Sequence, residues 1–216
     1  TWAGKRVKEE VIDPLHLPYE KIIVSVFDVD TNVWEQYFAL LTHKYISHPN
    51  PERASFQPVS IFTNNIWEAP ALARVVSFSS TFWLTMQQER PERQVTFSSH
   101  SMSFKTLVEV AFWQSNIVSE DSRIFWQCYN FYNGNYETVS LYAPVYMDAA
   151  VDSTFWKSMK ALYKQQRRWA WGAENLVYVL FAFIKNKDIS FGKKLRHGFN
   201  LVEGYYSWAT NALIIF

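Results

Sequence analysis

The stretch Ile22-Ile23-Val24-Ser25-Val26-Phe27-Asp28-Val29-Asp30-Thr31-Asn32 joins a short apolar run to two aspartates one residue apart. The run is rich in β-branched residues and reads as a buried strand. Alternate strand residues share a face, so Asp28 and Asp30 are expected to point the same way. Carboxylates at the end of such a strand occupy the place where α/β sheets carry their ligand sites. Two close carboxylates repel unless a cation neutralises them, and Mg²⁺ or Mn²⁺ suits oxygen ligands that also face substrate phosphates. The same pair equally fits a plain turn after a strand, and the spacing alone does not separate the two readings.

Outward from this stretch, strands and helices alternate. Residues 1–20 are polar, with a short helix expected over 5–12 before Pro14 and Pro18. A helix is expected over 33–47, its stripe formed by Trp34, Tyr37, Phe38, Leu41 and Tyr45. His48-Pro49-Asn50-Pro51 ends it. Next come a strand over 57–63, a helix over 69–89, a strand over 95–104 and a short helix over 105–113. Ser119 reads as the N-cap of a helix over 120–132, which Asn133-Gly134 stops. A strand over 137–147 and a basic amphipathic helix over 154–171 complete an α/β pattern.

Composition narrows the function classes. The net charge of +1 excludes the strong basic excess of a general nucleic-acid binder. The five histidines are scattered without zinc-like spacing. The single cysteine, Cys128, has no partner for an internal disulfide, which fits a reducing compartment. Aromatic residues reach 18% with ten tryptophans, a content that suits sugar-binding faces and membrane interfaces as well as a rich core.

Two further clusters carry chemistry. Glu120 and Asp121 follow Ser119 at a helix start, where acids favour the helix dipole without any other role. A carboxylate there can also take a proton from an attacking hydroxyl. In Gln165-Gln166-Arg167-Arg168-Trp169, positions i, i+3 and i+4 bring Gln165, Arg168 and Trp169 onto one helix face. That face offers an amide, a guanidinium able to grip a diphosphate through two parallel hydrogen bonds, and an indole platform. Lys157, Lys160, Lys164, Arg167 and Arg168 have no acidic partner within the helix, so a helix lying on anionic lipid is an alternative reading.

In this order, Asp-x-Asp, Glu-Asp and Gln-x-x-Arg-Trp resemble the family 2 glycosyltransferases, in particular the membrane-embedded branch of cellulose, hyaluronan and chitin synthases. The matching stretch covers about residues 19–172. The resemblance implies a GT-A fold, a Rossmann-like mixed sheet flanked by helices, as a partial domain over 1–172. An interfacial segment over 173–216 would then enter a transmembrane helix. It implies that Asp28 and Asp30 contact a donor diphosphate and its Mg²⁺ or Mn²⁺, and that Asp121 is the general base with Glu120 beside it. Gln165 and Arg168 would hold the diphosphate and Trp169 the acceptor sugar, with Ser98 to Ser103 and Lys105 along the acceptor site. The implied partners are a nucleotide-sugar donor, a UDP-sugar by resemblance, a saccharide or lipid-linked acceptor, and a membrane. Relatives also carry an earlier nucleotide-base strand and later membrane helices, which the resemblance places outside this stretch.

The tail fits that picture. Lys185, Lys187, Lys193, Lys194 and Arg196 precede an apolar run from about Phe199, and Tyr205 to Phe216 is shorter than the roughly 20 residues of a full span. Basic flanks favour the cytoplasmic side, which places the catalytic domain there. Two rival readings are a phosphatase of the haloacid dehalogenase type and a non-catalytic membrane-associated module with a degenerate transferase fold. The phosphatase register fails at Asn32, where a Thr or Val is required.

Overall fold

The computed structural model describes the backbone of residues 1–215 and the side chains through residue 210. The elements run α1 (Trp2–Val7), β1 (Ile23–Ser25), β2 (Asn32–Val33), α2 (Tyr37–Ser47), β3 (Ala54–Phe62), α3 (Ala71–Gln88), β4 (Ser101–Ser103) and α4 (Phe104–Glu109). They continue with α5 (Glu120–Phe131), β5 (Glu137–Met147), α6 (Phe155–Ala170), α7 (Glu174–Lys185) and α8 (Phe191–Ile215). A π-helical turn over Lys8–Ile12 prolongs α1.

The five strands form one mixed sheet in the order β1-β4-β3-β5-β2. β3 and β5 pair in parallel at its centre, while β4 runs antiparallel to both β1 and β3. Hence β1, β3 and β5 point the same way and end on one edge of the sheet. Pro58 and Pro144 sit inside the central pair, where a proline normally removes a ladder bond. They are accommodated by a bulge in which Gln57 faces Ser140 but Val59 faces Pro144, with Tyr142 at φ 54°. The carboxamide of Gln88, closing α3, accepts the freed amide of Tyr142.

Period-2 alternation assigns the two faces. Ala54 and Phe56 point towards α2, where Tyr37, Leu41, Tyr45, Leu141 and Val145 complete a core layer. Ser55 points the other way and its hydroxyl meets the Tyr136 hydroxyl at 2.7 Å. On that side Met102, Phe104, Leu107, Ile124, Phe125, Cys128, Val179 and Phe183 bring α4, α5 and α7 together. Full burial of one such apolar side chain contributes about 1.5–3 kcal/mol, and Phe56→Ala would cost about 3–5 kcal/mol. A smaller cluster of Ala69, Ala73, Ala149 and Leu162 ties α6 to α3.

Three local expectations are corrected. The 22–27 run is strand only over Ile23–Ser25 and only half-buried, because β1 is the edge of the sheet and pairs with β4 alone. The 95–104 run shortens to Ser101–Ser103, because Ser99 turns the chain with φ 67°. Ser119 precedes α5 but its hydroxyl does not cap it and lies instead 3.4 Å from Glu174 Oε1. Gly134 behaves as expected: at φ 77° its amide bonds the Tyr129 carbonyl at 2.7 Å and closes α5.

The tail is helical, as α8. Among the described residues no helix is long and apolar enough to cross a membrane, so the expected entry into a span is not seen. Lys193, Lys194, Arg196 and Glu203 interrupt α8 with charge, and the side chains of residues 211–216 in the apolar run lie outside the described residues.

Candidate functional site

The sheet edge where β1, β3 and β5 end is also where the aspartate loop crosses. The β1 ladder closes with the Val26 amide on the His100 carbonyl at 2.9 Å, and the Thr31 amide then turns back onto the Asp28 carbonyl at 3.0 Å. Asp28 and Asp30 therefore lie in a turn beyond the strand, and strand alternation is not what aims them. Val29 between them is fully exposed. The loop leaves one edge strand, β1, and enters the other, β2, passing over the ends of the central pair.

Each aspartate is fixed by a different neighbour. Asp28 Oδ2 accepts the Ser98 hydroxyl at 2.6 Å. Asp30 Oδ2 accepts the Asp148 amide at 3.0 Å, just past β5, and its carbonyl accepts Asn64 Nδ2 at 3.0 Å, just past β3. Asn65 clips the two strand exits together: its Oδ1 accepts the Ala149 amide at 2.7 Å and its Nδ2 donates to the Ala149 carbonyl at 3.1 Å. Each aspartate keeps its other oxygen outside these bonds.

Segment 96–100 brings in the second cluster. Thr96, fully buried, donates its hydroxyl to the Asp121 carbonyl at 2.5 Å. Two residues on, Ser98 holds Asp28, and Ser99 meets the Thr31 hydroxyl at 3.2 Å. Ser99 takes a positive φ that a non-glycine residue adopts at a cost, and such positions gather at ligand sites. The Asp121 carboxylate accepts the Ser122 amide at 2.7 Å. Loss of water raises the Asp121 carboxyl from its ordinary 3.8 to about 6, and the charges of Glu120 and Asp28 push in the same direction. The charge of Asp28 thus bears on Asp121, 93 positions along the chain. Glu120 itself is exposed.

The third cluster arrives on α6, whose start is capped by Thr154 Oγ1 accepting the Lys157 amide at 3.3 Å. At its other end Trp169 rests on Phe62, the last residue of β3, at the same sheet edge. Gln165 is half-buried and Arg168 exposed, and neither side chain makes a hydrogen bond or ion pair to another described residue. The fold brings Asp28, Asp30, Asp121 and Trp169 to one edge; it supplies no direct contact between Arg168 and the acids.

Several residues here carried no signal of their own in the sequence. Asp148 follows an apolar run in the sequence just as Asp28 does. Thr96, Asn64 and Asn65 are ordinary polar residues that only the crossing of chain segments makes important.

Among the described residues no three His, Cys, Asp or Glu side chains gather as a protein-only metal cage. Asp28 and Asp30 offer oxygen donors with one free oxygen each, which fits a hard divalent ion that takes one or two carboxylates and completes its shell from a phosphate and water.

The profile of the family described as Glycosyl transferase family group 2 matches residues 23–215. A comparison with curated proteins gives no match. The mixed five-stranded sheet flanked by helices fits a GT-A domain, and the haloacid dehalogenase reading is set aside. A glycosyl-transfer role, with a nucleotide-sugar donor and an acceptor, follows from a match across nearly the whole chain: the protein belongs to glycosyl transferase family group 2.

Proposed function

We propose that the protein is an inverting transferase that moves a hexose from a nucleotide-diphosphate donor, a UDP-sugar, to an acceptor hydroxyl on a saccharide or lipid-linked acceptor. The observation that supports this most directly is that Thr96 and Ser98, two residues apart, bond Asp121 and Asp28 respectively, which brings the desolvated Asp121 carboxyl to the edge where the aspartate loop crosses. A base with a raised carboxyl is suited to accept a proton near neutral pH. Asp121 takes the proton of the acceptor hydroxyl as its oxygen bonds to the anomeric carbon. The bond from that carbon to the diphosphate oxygen breaks, and the nucleotide diphosphate leaves with the electron pair. One displacement with no enzyme nucleophile inverts the configuration, so an α-linked donor gives a β-linked product.

In this reading Asp28 and Asp30 would hold Mg²⁺ or Mn²⁺ through their free oxygens, and the ion supplies charge neutralisation at the diphosphate. Gln165 and Arg168, without a hydrogen-bond or ion-pair partner among the described residues, are available to the diphosphate. Trp169 presents its exposed indole edge to the acceptor, and Glu120 lies beside the base. Membrane association is supported by the acid-free α6 and its exposed Phe155, Trp156 and Tyr163, and the cytoplasmic side by the basic residues Lys185, Lys187, Lys193, Lys194 and Arg196.

The test is a donor screen on the intact protein in detergent with Mn²⁺ or Mg²⁺, reading free UDP, for the parent and for Asp121→Asn. The parent should release UDP in an acceptor-dependent way. The variant should lose roughly 10²–10⁴-fold in turnover with donor binding retained. Near-parental turnover in the variant removes Asp121 as the base. No turnover with any donor would favour a non-catalytic, membrane-associated module.

A further inference from the structure

Two residues past Asp121, on the same first turn of α5, Arg123 is only 7% exposed. Its guanidinium forms no ion pair among the described residues and is held by neutral groups. Nε donates to Asn175 Oδ1 at 2.6 Å and Nη1 donates to Gln114 Oε1 at 3.0 Å. The guanidinium carbon lies 3.9 Å from the centre of the Tyr178 ring. Asn175, 1% exposed, passes the connection back to α5, because its Nδ2 donates to the Ser122 hydroxyl at 2.9 Å.

Asn175 and Tyr178 belong to the start of α7, which follows Trp169 after one 3₁₀ turn over Trp171–Ala173. A third element joins at that turn: the Tyr205 hydroxyl of α8 donates to the Gly172 carbonyl at 2.6 Å. The start of α5, the start of α7 and the middle of α8 therefore meet behind Asp121. A well-packed apolar pair would join two helices without stripping water from a cation. A planar guanidinium fork instead fixes both the distance and the angle between the elements it joins.

We infer that Arg123 and Asn175 are positioning residues for sugar transfer: their buried fork sets the first turn of α5, and Asp121 with it, against the start of α7, which one turn separates from the end of α6 that carries Gln165, Arg168 and Trp169. The inference rests on Asp121 acting as the base. A displacement of about 1 Å at a reacting group costs on the order of a hundredfold in rate, so such a latch belongs to the rate of the chemical step and little to donor affinity.

The test compares Asn175→Leu, which removes the acceptor for Arg123 Nε, with Asn175→Asp, which restores it and lets the Ser122 hydroxyl donate. UDP-glucose and UDP-N-acetylglucosamine serve as donors, with UDP release as the signal. Asn175→Leu is expected to lower kcat by about 10- to 100-fold with donor KM within about twofold. Asn175→Asp should recover kcat to within about fivefold of the parent. A contact that only held the fold would reduce the folded fraction without this split or this rescue. Parental kcat in Asn175→Leu, or no rescue by Asn175→Asp at equal helical content, overturns the inference. Hydrogen exchange over residues 120–126 gives a readout that needs no turnover: faster exchange in Asn175→Leu is expected, and unchanged protection overturns the latch. Full turnover in Asp121→Asn alongside loosened exchange in Asn175→Leu would remove the base and leave the latch standing.

Discussion

Trp169, on the last turn of α6, packs its indole against Phe62, the final residue of β3, with ring centroids 6.2 Å apart and planes tilted by 48°. One aromatic contact thus joins the end of the basic helix to the end of the central strand. The indole stays 39% exposed, so one part of the ring is anchored and another is free to meet a ligand.

That division predicts two separable effects. Trp169→Phe keeps an aromatic contact with Phe62 and should fold as the parent does, with acceptor KM raised a few-fold, about 3 to 10. Trp169→Ala loses both functions, and acceptor KM should rise by more than about tenfold while donor KM changes little. Initial-rate kinetics with each substrate varied in turn decide it; an unchanged acceptor KM in Trp169→Ala would remove Trp169 from the acceptor site.

Acid dependence follows from Asp121. Its carboxyl stands at about 6 in the folded chain against an ordinary 3.8. Between those values the folded state retains a proton that the unfolded state has released. Stability therefore falls as pH rises through that window, and the full cost is present above about pH 6. Asp121→Asn removes the cost, so at about pH 7.5 its melting temperature should equal or exceed the parent's, the gap closing below about pH 4. Transfer needs the carboxylate and should rise through about pH 6 on the acid limb of kcat. Thermal melts and a pH–rate profile test both; a limb near the ordinary aspartate value would mean that Asp121 is not the titrating base.

Asp30 separates metal and scaffold roles. Asp30→Asn keeps a carbonyl to accept the Asp148 amide, whereas Asp30→Ala leaves that amide without it. Both should weaken metal-dependent UDP binding by about tenfold or more, and only the alanine variant should also lower the melting temperature. Calorimetric titration of UDP with and without Mn²⁺, beside thermal melts, provides the readout. Equal UDP affinity in the presence and absence of Mn²⁺ for the parent would exclude the metal.

Gly134 tests the turn that closes α5. At φ 77° a side chain is strained, and an added Cβ would meet the Tyr129 hydroxyl at 3.2 Å. Gly134→Ala should cost about 1 kcal/mol or more in urea unfolding, while Asn133→Ala, removing a residue tolerant of φ 54°, should cost less.

The long elements were legible because one force dominated each. β5 follows its period-2 pattern over Glu137–Met147, and α2 buries Tyr37, Leu41 and Tyr45 at helical spacing, although the helix expected from residue 33 starts only at Tyr37, because Asn32–Val33 pairs with β5 as β2 and leaves Trp34 outside the helix. Short elements depart from their local pattern where tertiary pairing decides. The Ile22–Phe27 run has core composition, yet it occupies a sheet edge, and edge position is a property of topology. Ser119 has the right chemistry for a cap, but its hydroxyl is near Glu174, on a helix 55 residues away. At the site, the two aspartates were visible and their holders were not. Ser98, Asn64 and the Asp148 amide become neighbours only when three strand ends align.

Cys128 lies two helical turns beyond Asp121 on α5, fully buried, with its thiol pushed up to about 12 by the loss of water around it. At neutral pH it is not a nucleophile, and a thiol reagent reaches it only when α5 swings out of its packing. Since Cys128 is the one sulfhydryl of residues 1–216, its alkylation half-life, followed at the peptide that carries it, is a clock for that excursion. Ligands that clamp the helix should slow the clock, which gives a way to detect donor occupancy without following turnover.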